Sequence, residues 1–496
     1  MSGRWPPGGD SRPGRPVRIR RALRAGLLLC LLLSGCGAPR VTRDREIERL
    51  SRVTQERRAA LDLKSERPLT LADCEAIALR NNLAYRTQLL QTRLQDDQVR
   101  AAMSGWLPRL SLEYAHSKRS NEPLVSVFGG GGGVLFEDQE HDRLGLRTLL
   151  PLFDFGNTFY AWQMARDRRV QERLATLRAR QTLLRDVRIC YARLAALMRQ
   201  EDLWKTAVVA AQELLKVAQS YEREGLGSAA DTAQVEVTLA QAGRQLLLAR
   251  NRLREARLLL LQTLSLPAGT DLEIDPKLPD PPPALSAERL QALEEHALRA
   301  RPELHVQDLQ RHIAATALRK EIVGFLPHVD GIANFDWSSL SQQVNPAYFT
   351  FGLSVAQSLF DGSRFARLDE AKKARTVEEE RALLLGLGVL YEVHLGAIEL
   401  LRAEQDVQAQ ERVVKSREVV VKQIGSRYRE GLEVGADLAR EVADLHYAML
   451  LLDVARTQHH VANFELEAAA AVQEDAPETG ALGPELPEER NVAPAR

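Results

Sequence analysis

Residues 154–224 read DFGNTFYAWQMARDRRVQERLATLRARQTLLRDVRICYARLAALMRQEDLWKTAVVAAQELLKVAQSYERE and are predicted as one helix of about 71 residues. At 1.5 Å per residue it would measure about 105 Å, wider than any globular domain. Within it Leu184, Val187, Tyr191, Leu194 and Met198 step by three and four, the apolar seam of a coiled coil. Gly225 and Gly227 then stop the helix, and Ser228-Ala229-Ala230-Asp231 has the form of a capping box that starts another. Val235, Leu239, Ala242, Leu246, Ala249, Leu253, Ala256 and Leu260 continue the same stepping, so a local antiparallel hairpin is predicted.

Working outward, the pattern occurs twice. Gly105-Trp106-Leu107-Pro108 recurs as Gly324-Phe325-Leu326-Pro327, Leu152-Phe153-Asp154 as Leu359-Phe360-Asp361, and Glu224-Gly225-Leu226 as Glu430-Gly431-Leu432. Asp231 and Asp437 follow the last pair, and Leu438, Val442, Leu445, Met449 and Leu452 repeat the seam. The offsets of 219, 207 and 206 residues define a duplicated unit, far longer than a solenoid repeat. The expected organisation is a leader (1–35), an N-terminal segment (36–68), repeat 1 (69–264), a proline-bearing linker (265–285), repeat 2 (286–472) and a disordered acidic tail (473–496). In each repeat two shorter helices, about Thr70–Met103 with Ser228–Leu264 and about Ser286–Val323 with Ala436–Val472, are expected to stack end to end. Each stack would match its long helix, about 154–224 or 361–430. One chain then contributes four rods, two continuous and two spliced.

No helix here is read as able to span a membrane; the strands supply that contact. Leu110, Leu112 and Tyr114 alternate with Ser111, Glu113 and Ala115, and Leu144, Leu146, Thr148 and Leu150 with Arg143, Gly145 and Arg147. Val329, Gly331, Ala333, Phe335 and Trp337 oppose His328, Asp330, Asn334 and Asp336; Phe349, Phe351, Leu353 and Val355 oppose Tyr348, Thr350 and Ser354. These period-two runs, about 107–117, 143–152, 327–337 and 347–357, have the length of tilted transmembrane strands. Four strands cannot close a barrel, and open backbone groups in lipid cost several kcal/mol each, so more than one chain must combine. The fold class is therefore mainly α with a small β part.

Composition removes several function classes. Lys plus Arg and Asp plus Glu are 67 each, leaving no basic excess for nucleic acid. Four cysteines, none at C-x₂₋₄-C spacing, make neither a disulfide framework nor a zinc site. No G-x-S-x-G, H-E-x-x-H or nucleotide-binding signature occurs, so no enzyme and no cofactor are expected. Gly129–Gly133 lacks the Lys-Ser/Thr of a phosphate loop and is read as a connecting loop; His305/His312 and His459/His460 are read as surface or packing residues without metal. Cys74 and Cys190 fall at similar heights by helix counting, which leaves a disulfide between them open.

The first 35 residues read as an export signal: Arg18, Arg20, Arg21 and Arg24 precede the apolar run Ala25–Leu33. Leu33-Ser34-Gly35-Cys36 resembles a bacterial lipobox, implying acylation of Cys36, and Gly37 after it implies sorting to the outer membrane. Removing residues 1–35 takes seven Arg and one Asp, leaving a formal charge of −6.

Over about Leu69–Ala470 the ordered set resembles the TolC-like outer-membrane efflux proteins, in their lipoprotein branch. It consists of Leu69-Thr70-Leu71 with Ala76-Ile77 and Asn81-Asn82, the Leu107-Pro108 strand entry, Pro151-Leu152-Phe153-Asp154 with Gly156, and the Tyr221/Gly225/Asp231 hairpin. The resemblance implies a homotrimer with a twelve-stranded barrel and a twelve-helix tunnel. It also implies a passive exit duct joined through a periplasmic adaptor to an inner-membrane transporter. By the same resemblance Asp231 and Asp437 line a periplasmic gate beside the turns at Gly225, Gly227 and Gly431, with Tyr428 bonding Asp231. Glu433 and Arg440 depart from the family's arginine and second aspartate. The rival reading is a coiled-coil lipoprotein tether that conducts nothing; the exported substrate is not encoded in any of these residues.

Overall fold

A computed structural model describes residues 42–60, 68–118, 124–126, 133–135, 140–225, 227–280, 284–339, 347–430 and 435–472. The leader, Cys36, Gly431, Glu433 and the tail lie outside the described residues. The chain divides into two units, Met1–Lys64 and Ser65–Arg496. The described element of the first is helix α1 (Arg43–Ala60).

The second unit runs α2 (Leu71–Asn81), α3 (Leu83–Met103), β1 (Arg109–Lys118), β2 (Leu124–Ser126), β3 (Gly133–Leu135), β4 (Glu140–Phe153), α4 (Asn157–Arg223) and α5 (Ala229–Thr263). The second half follows as α6 (Ala287–Ala300), α7 (Pro302–Val323), β5 (His328–Ser338), β6 (Ala347–Ala356), α8 (Gly362–Arg429) and α9 (Gly435–Ala469). The two long helices have 67 and 68 residues. Each begins just past the duplicated Leu-Phe-Asp: Asp154 Oδ2 accepts from Thr158 N–H at 2.7 Å, and Asp361 Oδ1 from Ser363 N–H at 3.0 Å. The repeated aspartate thus accepts from the first turn of each long helix, as the N-cap residue itself in α8 and from two residues ahead of the N-cap Gly156 in α4. Its hydrogen bonds from Ser363, with Arg367 and Arg364 nearby, hold the Asp361 carboxyl below the usual carboxylate range.

The helix expected over about Thr70–Met103 is two helices. Asn82 adopts an extended backbone (φ −62°, ψ 121°), accepts from Tyr85 N–H at 2.9 Å and donates Nδ2 to the Thr263 carbonyl at 2.8 Å. The expected Ser286–Val323 helix is also broken, at Arg301, because Pro302 disfavours a helical residue before it and itself occupies the first turn of α7. The stacking expectation changes accordingly. α5 ends against the start of α3, whereas α2 sits beside α4 at the height of that splice, with Arg188 Nε 2.6 Å from Glu75 and Cys190 Sγ 3.7 Å from Thr263 Oγ1. In the second half α6 occupies the corresponding place: its Glu294 lies 3.0 Å from His394 of α8, and Ala297 packs with Val389, Val393, Leu400 and Leu466. The linker is docked at this level too. Leu69 bridges Ile274, Tyr191 donates to the Asp275 carbonyl at 2.6 Å, and Leu278 packs on Ala192, Val461 and Phe464.

α4 packs against α5, α3, α7 and α9, whereas α8 packs against α9, α7 and α6. Val187, Tyr191 and Leu194 of α4 and Val235, Ala242, Ala249, Ala256 and Leu260 of α5 are buried along the coiled-coil seam. Cys74 and Cys190 are both free, so the disulfide left open by their heights does not form. Burial, then the charges of Asp73 and Glu75, push the Cys74 thiol up to about 12.

The four-stranded sheet has the order β1-β4-β5-β6, antiparallel throughout, so the β4–β5 pair joins the two repeats. β4 starts three residues before the expected 143, and a β-bulge between Pro151 and Phe153 shifts its register with β5. An additional two-stranded ladder, β2 with β3, was not expected from sequence.

Candidate functional site

Two features of the second unit carry the function: one face of the sheet, and the end where the helical hairpins turn. Register aligns the alternating strand residues into rows across all four strands. Leu112 pairs with Leu146, Leu146 with Phe335 and Phe335 with Phe349; the next row is Leu110, Thr148, Ala333 and Phe351. Tyr114, Leu144 and Trp337 form a third, and Leu150, Gly331 and Leu353 a fourth. Side chains two residues apart share a face, so the apolar sets of all four strands fall on one side. On the edge strands they are bare: Leu112 is 71% and Phe351 76% exposed. The other face carries Ser111, Arg147, Asn334 and Thr350 in one row and Glu113, Gly145, Asp336 and Tyr348 in the next, with Arg147 3.1 Å from Glu113. One apolar face and one charged face is the pattern that the wall of a transmembrane barrel requires.

At the far end of α4 and α8 the structure locates most of the sequence-predicted site residues. Gly225 takes φ +74°, a left-handed conformation that glycine adopts without steric cost, and Gly227 N–H donates to the Tyr221 carbonyl at 3.1 Å. Asp231 completes the capping box, accepting from Ser228 Oγ at 2.8 Å and Ser228 N–H at 3.4 Å while its own N–H donates to Ser228 Oγ at 3.2 Å. Asp437 and Arg440 are exposed on the first turns of α9, where an acid suits the helix dipole. Tyr428 is buried, and its expected hydrogen bond with Asp231 does not form. Its ring lies 5.8 Å from that of Tyr221, at 42° between planes. Burial, then the neighbouring Tyr221, pushes the Tyr428 phenol above its usual range. The local Ser228 cap, three residues away, holds the Asp231 carboxylate. Ala218, Val235 and Ala439 pack beneath these groups and join α4, α5 and α9.

Loss of the Ser228 cap is a first test. Ser228→Ala is expected to lower stability by about 1 kcal/mol, read as an earlier thermal loss of the helical circular-dichroism signal.

The family model for outer membrane efflux proteins matches residues 76–265 and 293–472, most of the second unit. The chain belongs to the outer membrane efflux protein family. This efflux protein shares its fold with solved outer-membrane channels. VceC of Vibrio cholerae aligns with a TM-score of 0.67 at 15% identity, over 81% of this chain and 95% of that one. The CmeC outer membrane channel of Campylobacter jejuni gives 0.68 at 13%, over 81% and 85%. The MtrE outer membrane channel of Neisseria gonorrhoeae, in its open state, gives 0.63 at 16%, over 81% and 88%. No curated protein matches the sequence. This family consists of transport channels of the outer membrane, and the efflux protein is such a channel. One sequence expectation is corrected by α8, which is, by length and composition, apolar enough to cross a membrane. Val389, Val393 and Leu400 face its neighbours, while Leu383, Leu387, Leu395 and Ile398 are exposed on the other side. The helix is apolar on two faces, and one of them is uncovered.

Proposed function

We propose that this efflux protein assembles as a homotrimer, anchored in the outer membrane through acylated Cys36, and passively conducts substrate received from a periplasmic adaptor and an inner-membrane transporter. The observation that carries this reading is the continuous apolar face of a sheet whose two edges, β1 and β6, are unpaired among the described residues. In hydrocarbon every backbone group needs a partner. In an all-antiparallel sheet of four strands, β1 and β6 run in opposite directions, so β6 of one copy can add to β1 of the next without reversal. Such a head-to-tail contact repeats until the ring closes. Two copies would reach eight strands; twelve, from three copies, follows the family pattern. The bare face of α8 supports the same assembly, since a neighbouring copy would cover Leu387, Leu395 and Ile398. At the opposite end, Asp231, Tyr428, Asp437 and Arg440 with the turns at Gly225, Gly227 and Gly431 form the constriction in this reading.

The test is extraction and reconstitution. Detergent-extracted protein is expected to run as a heat-modifiable trimer and to give ion conductance in planar bilayers. A detergent-free soluble monomer without conductance would favour the non-conducting tether.

A further inference from the structure

The geometry points to a binding site for an anionic phospholipid on α4, immediately below the sheet, in the leaflet that faces the periplasm. This rests on the channel reading above, which puts the apolar face of the sheet in the membrane. Phe159, Trp162, Arg166, Arg169 and Arg173 step by three and four and so share one face of α4. The upper part of this stripe is aromatic. Trp162 lies 5.8 Å from Phe159 and 6.1 Å from Trp106 at the entry to β1, ring centre to ring centre. Phe159 and Trp106 are 47% and 42% exposed, and Leu152 and Phe153 at the foot of β4 are bare as well. Exposed rings continuous with an apolar sheet are the residues that a bilayer interface covers.

The lower part is cationic. α4 starts at the sheet and runs away from it, and helical side chains lean toward the helix N-terminus, here toward the membrane. Arg166 follows this rule: its Cζ stands over the Trp162 ring, 5.8 Å from the centroid. Trp162 is about 8 Å below the start of α4, so the guanidinium is held at the level of the headgroup layer, about 5–8 Å deep, that borders the hydrocarbon. Arg166 is exposed and has no carboxylate partner among the described residues. Arg169 and Arg173 share one, Asp96 of α3, at 3.7 and 3.9 Å, too long for a hydrogen bond. Three guanidiniums against one carboxylate leave a positive patch under an aromatic ledge, the complement of a phosphate whose acyl chains lie along the sheet. The second repeat lacks it. At the offset set by Asp154 and Asp361 the five positions are Ala366, Asp369, Lys373, Thr376 and Glu380, so the stripe is not a requirement of the long helix itself.

Lipid retention by the full-length assembled protein tests this. Protein in mixed micelles holding equal amounts of phosphatidylglycerol and phosphatidylcholine is exchanged into lipid-free detergent, and the lipid that stays bound is counted by native mass spectrometry. Wild type is expected to retain phosphatidylglycerol roughly fivefold over phosphatidylcholine. Arg166→Gln is expected to lose most of that preference while the oligomer and its conductance persist. Lys373→Gln, at the matching place in the second repeat, is expected to keep it. Salt at about 1 M is expected to abolish the wild-type preference, because it screens exposed charges. Equal retention of the two lipids by wild type, or an unchanged preference in Arg166→Gln, would overturn the inference while leaving the channel reading intact. Should Arg166→Gln fail to assemble, the wild-type salt dependence decides, and a preference insensitive to salt would overturn the inference. A protein recovered in soluble form without detergent would overturn both.

Discussion

Replacing Phe351 by arginine is expected to leave almost no heat-modifiable oligomer in the membrane fraction. Phe351 stands near the middle of β6, 76% exposed, in the row that runs through Ala333, Thr148 and Leu110. An arginine near the bilayer midplane on the lipid face of a barrel costs about 2–4 kcal/mol. In a closed ring each copy contributes the same defect, so the cost multiplies with the number of subunits. Thr350→Arg is the matched control: one residue away, it projects to the polar face beside Asn334, and assembly is expected to persist with altered conductance. Equal tolerance of both substitutions, judged by oligomer yield in unheated gels, would contradict the face assignment.

The second large effect belongs to the helical body. Leu466→Ala removes a side chain 1% exposed where α9 and α6 pack together on α8, among Ala297, Val389, Val393, Leu400 and Ala462. A Cβ built on Gly396 of α8 would lie 3.3 Å from Leu466 Cδ1, so the two helices approach closely here. Truncation leaves a cavity that rigid helices cannot collapse, and a loss of about 3 kcal/mol is expected. The measurement is the guanidinium midpoint of the helical signal in detergent. Leu387→Ala, on the bare face of α8, is expected to leave that midpoint nearly unchanged and instead to weaken the oligomer. A Leu466→Ala midpoint equal to wild type would place the core elsewhere.

The sheet and the coiled-coil seams were readable from residues because each rests on a local period. Leu110, Leu112 and Tyr114 declare their face without reference to any partner, and Val235 through Leu260 their stripe. The Ser228–Asp231 box is likewise contained in four residues. What escaped depends on distant groups. Asn82 breaks a helix while its amide reaches the Thr263 carbonyl, 181 residues away. Pro302 carried a visible signal, since the residue before a proline resists the helical conformation, yet the apolar periodicity ran across it. Helix counting set Cys74 and Cys190 at one height but held no information on side-chain direction; the Cys190 sulfur lies against Thr263. The Asp231–Tyr428 bond was carried over from resemblance, and a nearer partner replaced it on each side. Tyr221 had a signal of its own, an aromatic in the last turn before the glycine in the first half as Tyr428 is in the second, and its partner is visible only once the helices are packed. α8 was misjudged because its apolar residues are spread over two faces and interrupted by Glu392 and His394.

Single-cysteine labelling along residues 349–355 in native outer membranes, with a lipid-soluble maleimide set against a membrane-impermeant one, tests the transmembrane wall most directly. In a closed barrel Phe349, Phe351, Leu353 and Val355 positions take only the lipid-soluble reagent, while Thr350 and Ser354 positions take the aqueous one, alternating residue by residue. Uniform reaction of all these positions with the impermeant reagent would put β6 in water and contradict the channel.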